Sequence, residues 1–247
     1  MRAQAVIEAL FFDGDQTLWD FEKLMRRALA ATLDELRRLC PGPATADCDV
    51  PSLIHDRQFV ATELGGQEIN LERLRLAGFQ RTLGRMDLAD DGLARHLTAH
   101  YLARRFDNVD LYPDVLMTLR SLQGAYILGL LSNGNGYPDR SGLGGIFSAV
   151  VFAQDHGFEK PDRRLFDVAA AEAGSPCDRI AMVGDSLVDD VAGAQKAGWR
   201  GIWLNRDNRQ CHDGPAPDAQ ITTLDQLPAA IRQLNTSQSR RKAAGAG

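Results

Sequence analysis

Apolar positions along this chain follow two rhythms. Short continuous runs occur at Ala5 to Phe12, Tyr126 to Leu131, Ala149 to Phe152, Ile180 to Val183 and Gly201 to Leu204. Such runs suit strands buried on both faces, as in a parallel sheet. Between the later runs, apolar residues recur at helical spacing over Tyr112–Leu122, Asp162–Ala173 and Leu187–Ala197. Strand alternating with helix predicts βαβ units, and hence an α/β fold built on a doubly wound parallel sheet.

The stretch from Leu18 to Phe106 breaks this alternation. It carries amphipathic patterns over Phe21–Leu39 (Leu24, Ala28, Ala31 and Leu36 on one side), Leu71–Leu83 and Leu88–Tyr101, and no strand pattern. Pro41-Gly42-Pro43 through Pro51 reads as a loop within it. These patterns predict a helical domain, residues 18–106, inserted into a core made of 1–17 and 107–234. Its acidic and basic residues nearly cancel, as on solvated helix faces, and none stands out as a substrate anchor. Asp207 to Asp218 reads as a polar loop, and 235–247 as a flexible tail.

Composition narrows the class. With 44% hydrophobic and 25% charged residues, the chain is able to bury a core, which excludes a largely disordered protein. Its formal charge of −5 is unlike the basic footprint of a nucleic-acid binder. No apolar run approaches the roughly 20 residues of a membrane span, and the first residues lack the pattern of a secretory leader. Cys40, Cys48, Cys177 and Cys211 form no CxxC pair and are sparse for a disulfide framework. The expectation is a soluble cytoplasmic protein with reduced thiols and neither nucleic-acid polymer nor membrane as partner. Oligomeric state is not legible.

In doubly wound sheets, ligands bind beyond the carboxyl ends of the strands. The residues found there are Asp13-Gly14-Asp15-Gln16-Thr17, then Ser132-Asn133, then Lys160 within Phe158-Glu159-Lys160-Pro161-Asp162, then Gly184-Asp185-Ser186 with Asp189 and Asp190 beyond. Taken singly, each is unspecific: Ser-Asn reads as a turn, Lys-Pro as a surface lysine, and Gly-Asp as a helix cap. Their common position after successive strands, at helix-sized separations, makes them a set.

That set resembles the haloacid dehalogenase-like superfamily of aspartate-nucleophile phosphohydrolases, in the branch with a helical cap inserted after the first motif. The resemblance spans nearly the whole chain, including Leu111-Tyr112-Pro113-Asp114-Val115 and the helix starting at Asp190. One departure is Gln16, where glycine is commonest. By resemblance Asp13 is the nucleophile and Asp15 the general acid and base. Asp13, the Asp15 backbone carbonyl and Asp185 hold Mg²⁺, with Asp190, or less aptly Asp189, supporting the metal. Lys160 balances charge, while Thr17, Ser132, Asn133 and Lys160 meet the substrate phosphate. Thr17 reads equally as a turn cap, and Asn133 as a supporting residue.

The resemblance implies an Mg²⁺-dependent phosphatase acting on a small phosphorylated metabolite through an aspartyl-phosphate. A 5'-nucleotidase is the nearest alternative, followed by a 2-haloacid dehalogenase, a sugar phosphomutase and a non-catalytic binding protein on the same scaffold. Halide leaves without a proton, so the second acid, Asp15, favours phosphate chemistry over dehalogenation. Trp19 and Phe21 read as hinge packing in preference to a nucleobase platform. His96 and His100 have helical spacing but lack the glutamate of a zinc-protease motif and read as exposed helix residues. Gly134 and Gly136 read as turn formers.

Overall fold

A computed structural model describes residues 6–65, 70–105, 109–210 and 214–244. Ala5, the boundary expected at 106–107, Cys211 and residues 245–247 lie outside them. The chain divides into two compact units, Met1–Asp20 with Leu111–Gly247, and Phe21–Asp110.

In chain order, β1 (Ala9–Phe12) is followed by α1 (Phe21–Leu39), α2 (Pro43–Ala46), α3 (Val50–Glu63), α4 (Leu71–Arg85) and α5 (Asp91–Arg105), all in the second unit. The first unit resumes with α6 (Val115–Leu122), β2 (Ile127–Ser132), β3 (Ala149–Phe152), α7 (Ala153–His156) and α8 (Arg163–Ala173). It ends with β4 (Ile180–Gly184), α9 (Gly193–Ala197), β5 (Arg200–Leu204), β6 (Ala219–Ile221) and α10 (Leu227–Ala244).

The strands form one parallel sheet in the order β3-β2-β1-β4-β5-β6. The central strand β1 is buried at every position, which explains its unbroken apolar run. Phe11 rests on Trp199 with ring centroids 5.1 Å apart, and Trp199 meets Phe166 of α8 edge-on at 5.2 Å. Register aligns the carboxyl ends of the central strands. Phe12 lies level with Leu130 of β2 and Val183 of β4, so the residues just beyond these three strands emerge at one height.

Four elements differ from expectation. The segment up to Pro51, expected as loop, contains α2 and the start of α3; Pro51 occupies the first turn of α3, where its missing N–H costs nothing. The helix α3 escaped notice because its buried positions are Leu53 and the charged Asp56, not an apolar stripe. The strand β6 is a three-residue edge, Ala219–Ile221, too short to show a pattern. The segment expected as a tail continues α10 to Ala244, and Asn235 Oδ1 accepts a bond from the Ile7 amide at 3.2 Å.

In the second unit, Ala28, Leu29, Leu33 and Leu36 of α1 pack in one cluster with Phe79, Leu83, Leu97 and Tyr101. Beside it, the fully buried Asp56 accepts bonds from Thr82 Oγ1 at 2.8 Å, Arg81 Nε at 3.2 Å and Arg85 Nη2 at 2.9 Å, tying α3 to α4. In the first unit the turn after β1 is tight. Leu18 N donates to the Gly14 carbonyl at 2.8 Å and Gln16 N to that of Trp19 at 2.8 Å, with Gln16 at φ 60°. Left-handed backbone is costly for any residue with a Cβ, which gives a physical reason for glycine at this position. Cys40, Cys48 and Cys177 are free thiols. Among the described residues no helix is long and apolar enough to cross a membrane.

Asp56→Ala should destabilise the protein by about 3 kcal/mol, because it strands two guanidinium groups and a buried hydroxyl; urea unfolding measures it. Gln16→Gly should leave stability unchanged or raise it by up to about 1 kcal/mol, relief of the left-handed strain being partly offset by backbone entropy; the same measurement checks it.

Candidate active site

The turn after β1, the ends of β2 and β4 and the Lys160 loop bring their polar residues together. Asp13 directly follows β1 and its amide bonds the Val183 carbonyl of β4 at 2.9 Å. Its carboxylate oxygen Oδ1 accepts a bond from Lys160 Nζ at 2.7 Å. The same ammonium donates to Asp190 Oδ1 at 2.6 Å and to the Leu131 carbonyl of β2 at 2.9 Å. Lys160 is 3% exposed, and these three bonds use all its donors.

Each partner of Lys160 is itself held. Asn133 brackets the lysine's backbone: its Oδ1 accepts from Lys160 N at 2.8 Å and its Nδ2 donates to Lys160 O at 3.0 Å. The amide expected at a phosphate is thus engaged as a clamp on the lysine loop. Asp190 lies on a π-helical turn, Leu187–Ala192, where both Asp190 N and Val191 N bond the Ser186 carbonyl. Its second oxygen accepts from Ser186 N at 3.0 Å. A Cβ at Gly184 would overlap the Asp190 carboxylate, so the Gly-Asp pair after β4 requires its glycine for space. Asp189 turns elsewhere, accepting from Ser186 Oγ at 3.1 Å. Of the two outer acids, Asp190 is the one brought to Lys160.

Electrostatics follow from crowding. Ligand oxygens of Asp13, Asp185 and Asp190 all lie within 4.8 Å of one another. Burial, joined by the charges of Asp190 and Asp15 and opposed by Lys160, pushes the Asp13 carboxyl well above its usual range. Burial and the Asp190 charge push Asp185 up to about 6. Burial disfavours the Lys160 ammonium, yet Asp13 and Asp190 outweigh it and hold the lysine above its ordinary value. One lysine leaves the three carboxylates undercompensated. An all-oxygen set with surplus negative charge suits a hard divalent cation.

Asp15 stands on the other side of Asp13's turn, half-buried, with Oδ1 accepting from Trp19 Nε1 at 2.7 Å. Trp19 is 2% exposed, so its ring is packing, and its N–H orients the second acid. Room for this arrangement comes from Gly134 and Gly136. A Cβ on Gly134 would stand 2.5 Å from Asp15 Oδ2, and one on Gly136 would overlap the Trp19 ring. Neither glycine has a positive φ, so close approach, not turn conformation, explains them. Ser132 is 1% exposed and its Oγ accepts from Gly134 N at 3.0 Å, leaving its own proton free to donate. Thr17 is fully buried; its hydroxyl has no hydrogen-bond partner among the described residues and caps no turn.

Three supporting residues carry no motif that marks them. Trp203 Nε1 and Arg209 Nη2 both donate to the Asp185 carbonyl at 3.0 Å, and Arg209 lies 3.6 Å from its carboxylate. Arg206 forms a two-pronged pair with Asp114 at 2.9 and 3.0 Å and donates to the Thr17 carbonyl at 3.0 Å, fastening the turn after β1 to the returning chain. The only sequence signal for them is their position within and just after β5. His96, by contrast, bonds Glu35 Oε1 at 2.9 Å in the second unit, and His100 bonds Thr32.

Comparison with known proteins agrees with this geometry. The chain is 31% identical over 121 residues to pyrimidine 5'-nucleotidase YjjG of Escherichia coli, covering 47% of this chain but only 54% of that one. It is 27% identical over 231 residues to the 5-amino-6-(5-phospho-D-ribitylamino)uracil phosphatase YigB of the same organism, covering 91% and 96%. Among solved structures, a 2-haloacid dehalogenase from Pseudomonas syringae superposes with a TM-score of 0.80 at 32% identity, covering 92% of this chain and 99% of that one. The family description "haloacid dehalogenase-like hydrolase" matches residues 7–198. With most of its length matched and an aspartate, a lysine and two further acids gathered at the strand ends, the chain belongs to the haloacid dehalogenase-like hydrolases.

Proposed function

We propose that this hydrolase is an Mg²⁺-dependent phosphatase that cleaves the monoester of a small phosphorylated metabolite through an aspartyl-phosphate. The observation that carries the reading is Asp15, a second carboxylate held by Trp19 beside the Asp13–Lys160 pair. Displacing an alkoxide from phosphorus needs a proton donor, whereas displacing halide from carbon does not.

Asp13 attacks phosphorus as the P–O ester bond breaks, and Asp15 gives its proton to the departing alcohol. Water then attacks the same phosphorus; Asp15, now a carboxylate, takes the water's proton, and inorganic phosphate leaves with Asp13 restored. A carboxylate approaching a phosphate dianion meets like charge, and Lys160 offsets part of it. Asp13, the Asp15 carbonyl and Asp185 are assigned to Mg²⁺, with Asp190 beside them; when bound, the ion neutralises charge on the transferring phosphoryl oxygens. Ser132 is assigned to donate its free hydroxyl proton to a phosphate oxygen, and Thr17 to do so with its unused hydroxyl. Asn133 fixes the lysine, and Asp189 fixes Ser186.

Two relatives act on phosphate esters by name, one of them a pyrimidine 5'-nucleotidase. Nucleoside monophosphates therefore belong in any substrate screen, beside sugar phosphates and phosphorylated acids. The dehalogenase likeness makes 2-haloacids the necessary control.

Asp13→Asn should lower phosphate release by at least about a thousandfold with an unchanged circular dichroism spectrum. In single-turnover measurements of alcohol release, Asp15→Asn should cost about 10²–10⁴-fold on alkyl phosphates and far less on p-nitrophenyl phosphate, whose leaving group needs no proton. Equal losses on both esters, or halide release from 2-chloropropionate by the unaltered protein, would remove the reading.

Asp185 supplies a pH test. Its folded-state value, about 6, lies above that of an unfolded carboxyl, about 4. Its contribution to stability is therefore present at low pH and lost as pH rises through about 6. Metal-free protein should lose stability across that window, and Asp185→Asn should reduce the loss, the raised Asp13 carboxyl contributing the remainder. Above pH 7, Mg²⁺ should raise the Tm of the unaltered protein and not that of the variant.

A further inference from the structure

The peptide joining Asp185 to Ser186 is held through every polar atom it offers. Its carbonyl oxygen accepts from Trp203 Nε1 and from Arg209 Nη2, both at 3.0 Å, which occupies its two lone pairs. Its N–H, on Ser186, donates to Asp190 Oδ2 at 3.0 Å. A peptide unit is planar, so bonds on both of its edges fix its orientation. On the other side of the Asp185 Cα, β4 ends at Gly184, level with Trp203 of β5. The chain is thus held before and after Asp185, and the direction of its Cβ follows. Only two side-chain torsions then separate that Cβ direction from the carboxylate oxygens.

The two donors are themselves placed. Trp203 is buried within β5. Arg209 reaches back from a short loop rooted at Asn205, a fully buried residue whose amide bonds the Ile221 carbonyl of β6 at 2.8 Å. The Asn205 side chain brackets the arginine's backbone: Oδ1 accepts from Arg209 N at 2.8 Å and Nδ2 donates to Arg209 O at 2.9 Å. Asn133 brackets Lys160 in the same manner. Asn208 N bonds the Asn205 carbonyl at 3.1 Å, with Asn208 at φ 52°, a conformation asparagine adopts more readily than most residues. The Arg209 guanidinium lies 6.0 Å from the centroid of the Trp203 ring and 3.6 Å from the Asp185 carboxylate. Half of the Arg209 side chain is exposed, so the ion pair alone contributes little. What this loop and strand organise is the Asp185 carbonyl.

We propose that Trp203 and Arg209 are positioning residues for the cation site: by fixing the Asp185–Ser186 peptide they aim the Asp185 carboxylate toward that of Asp13, and so set the affinity for Mg²⁺. The inference rests on the assignment of Mg²⁺ to Asp13 and Asp185. A ligand already held in place loses less freedom when the ion binds. Groups that orient metal ligands typically contribute about ten- to a hundredfold in affinity.

Mg²⁺ alone, titrated calorimetrically into the metal-stripped full chain above pH 7, reads this affinity without turnover. Trp203→Phe removes one N–H and no charge, while Arg209→Lys keeps the charge and loses the planar fork. Each should weaken Mg²⁺ binding about tenfold or more. Trp199→Phe is the control: its indole is equally buried, but Nε1 has no hydrogen-bond partner among the described residues. It should lower the Tm and leave Mg²⁺ affinity unchanged. Kinetics gives a second readout. Both positioning variants should need more Mg²⁺ for half-maximal phosphate release, with kcat at saturating Mg²⁺ nearly unchanged. Unaltered affinity in Trp203→Phe and Arg209→Lys, or an equal loss in Trp199→Phe, overturns the inference and leaves the metal assignment standing. If Trp203→Phe does not fold, Arg209→Lys, at a half-exposed side chain, decides alone. No Mg²⁺ binding by the unaltered protein overturns the inference together with the metal assignment. The expected affinity losses without Mg²⁺-dependent phosphate release support the inference and remove only the phosphatase reading.

Discussion

One buried ammonium sets the terms for the rest of the first unit. Lys160 has three protons and gives one each to Asp13, Asp190 and the Leu131 carbonyl, so a single cation joins the ends of β1 and β2 to the π-helical turn after β4. Removing a charge from water is expensive, and here the cost is met by two carboxylates and a carbonyl at bonding distance. Every nearby peculiarity serves that arrangement. Asn133 brackets the lysine's backbone, glycine at 184 leaves space for Asp190, and the widened turn swings Asp190 inward. The same arrangement leaves the acids in excess. An all-oxygen site with more carboxylates than cations suits a hard divalent cation.

Much of this was legible in the sequence because parallel strands announce themselves. Ala149–Phe152 and Phe21–Leu39 have the bounds their patterns predict, and Asp13, Ser132 and Asp185 stand where the strand ends place them. What the sequence concealed shares one cause: a role defined by contact across the chain, not by local pattern. Asn133 looks like a turn residue until its partner, 27 positions away, is known. Asp189 and Asp190 are indistinguishable by spacing, since a π turn and an α turn present different residues inward. Gly134 and Gly136 read as turn formers although the space they leave is filled by Asp15 and Trp19. The helix α3 vanished because a charge, Asp56, occupies the place of an apolar anchor.

The helical unit repeats the lesson in a different form. Its near-neutral charge balance hides a local pairing, in which Arg81 and Arg85 converge on the buried Asp56. Composition averages over it. Only side-chain geometry shows which arginines have found their carboxylate.

The comparisons set a nucleotidase, a phosphatase and a dehalogenase side by side on one architecture. Fold therefore says little about which bond is cleaved. An attacking aspartate and a charge-balancing lysine suit displacement at carbon as well as at phosphorus, so the Asp13–Lys160 pair does not choose between them. The choice falls to a group needed for one leaving group and idle for the other. We assign that part to Asp15, whose surroundings are specific to it: a tryptophan N–H at 2.7 Å aims the carboxylate, and glycine at 134 clears the space beside its second oxygen. A carboxylate with no proton to deliver would gain nothing from such positioning. Packing that fits Trp19 and Gly134 around one acid is the strongest physical argument for assigning the departing group as an alcohol oxygen and not a halide.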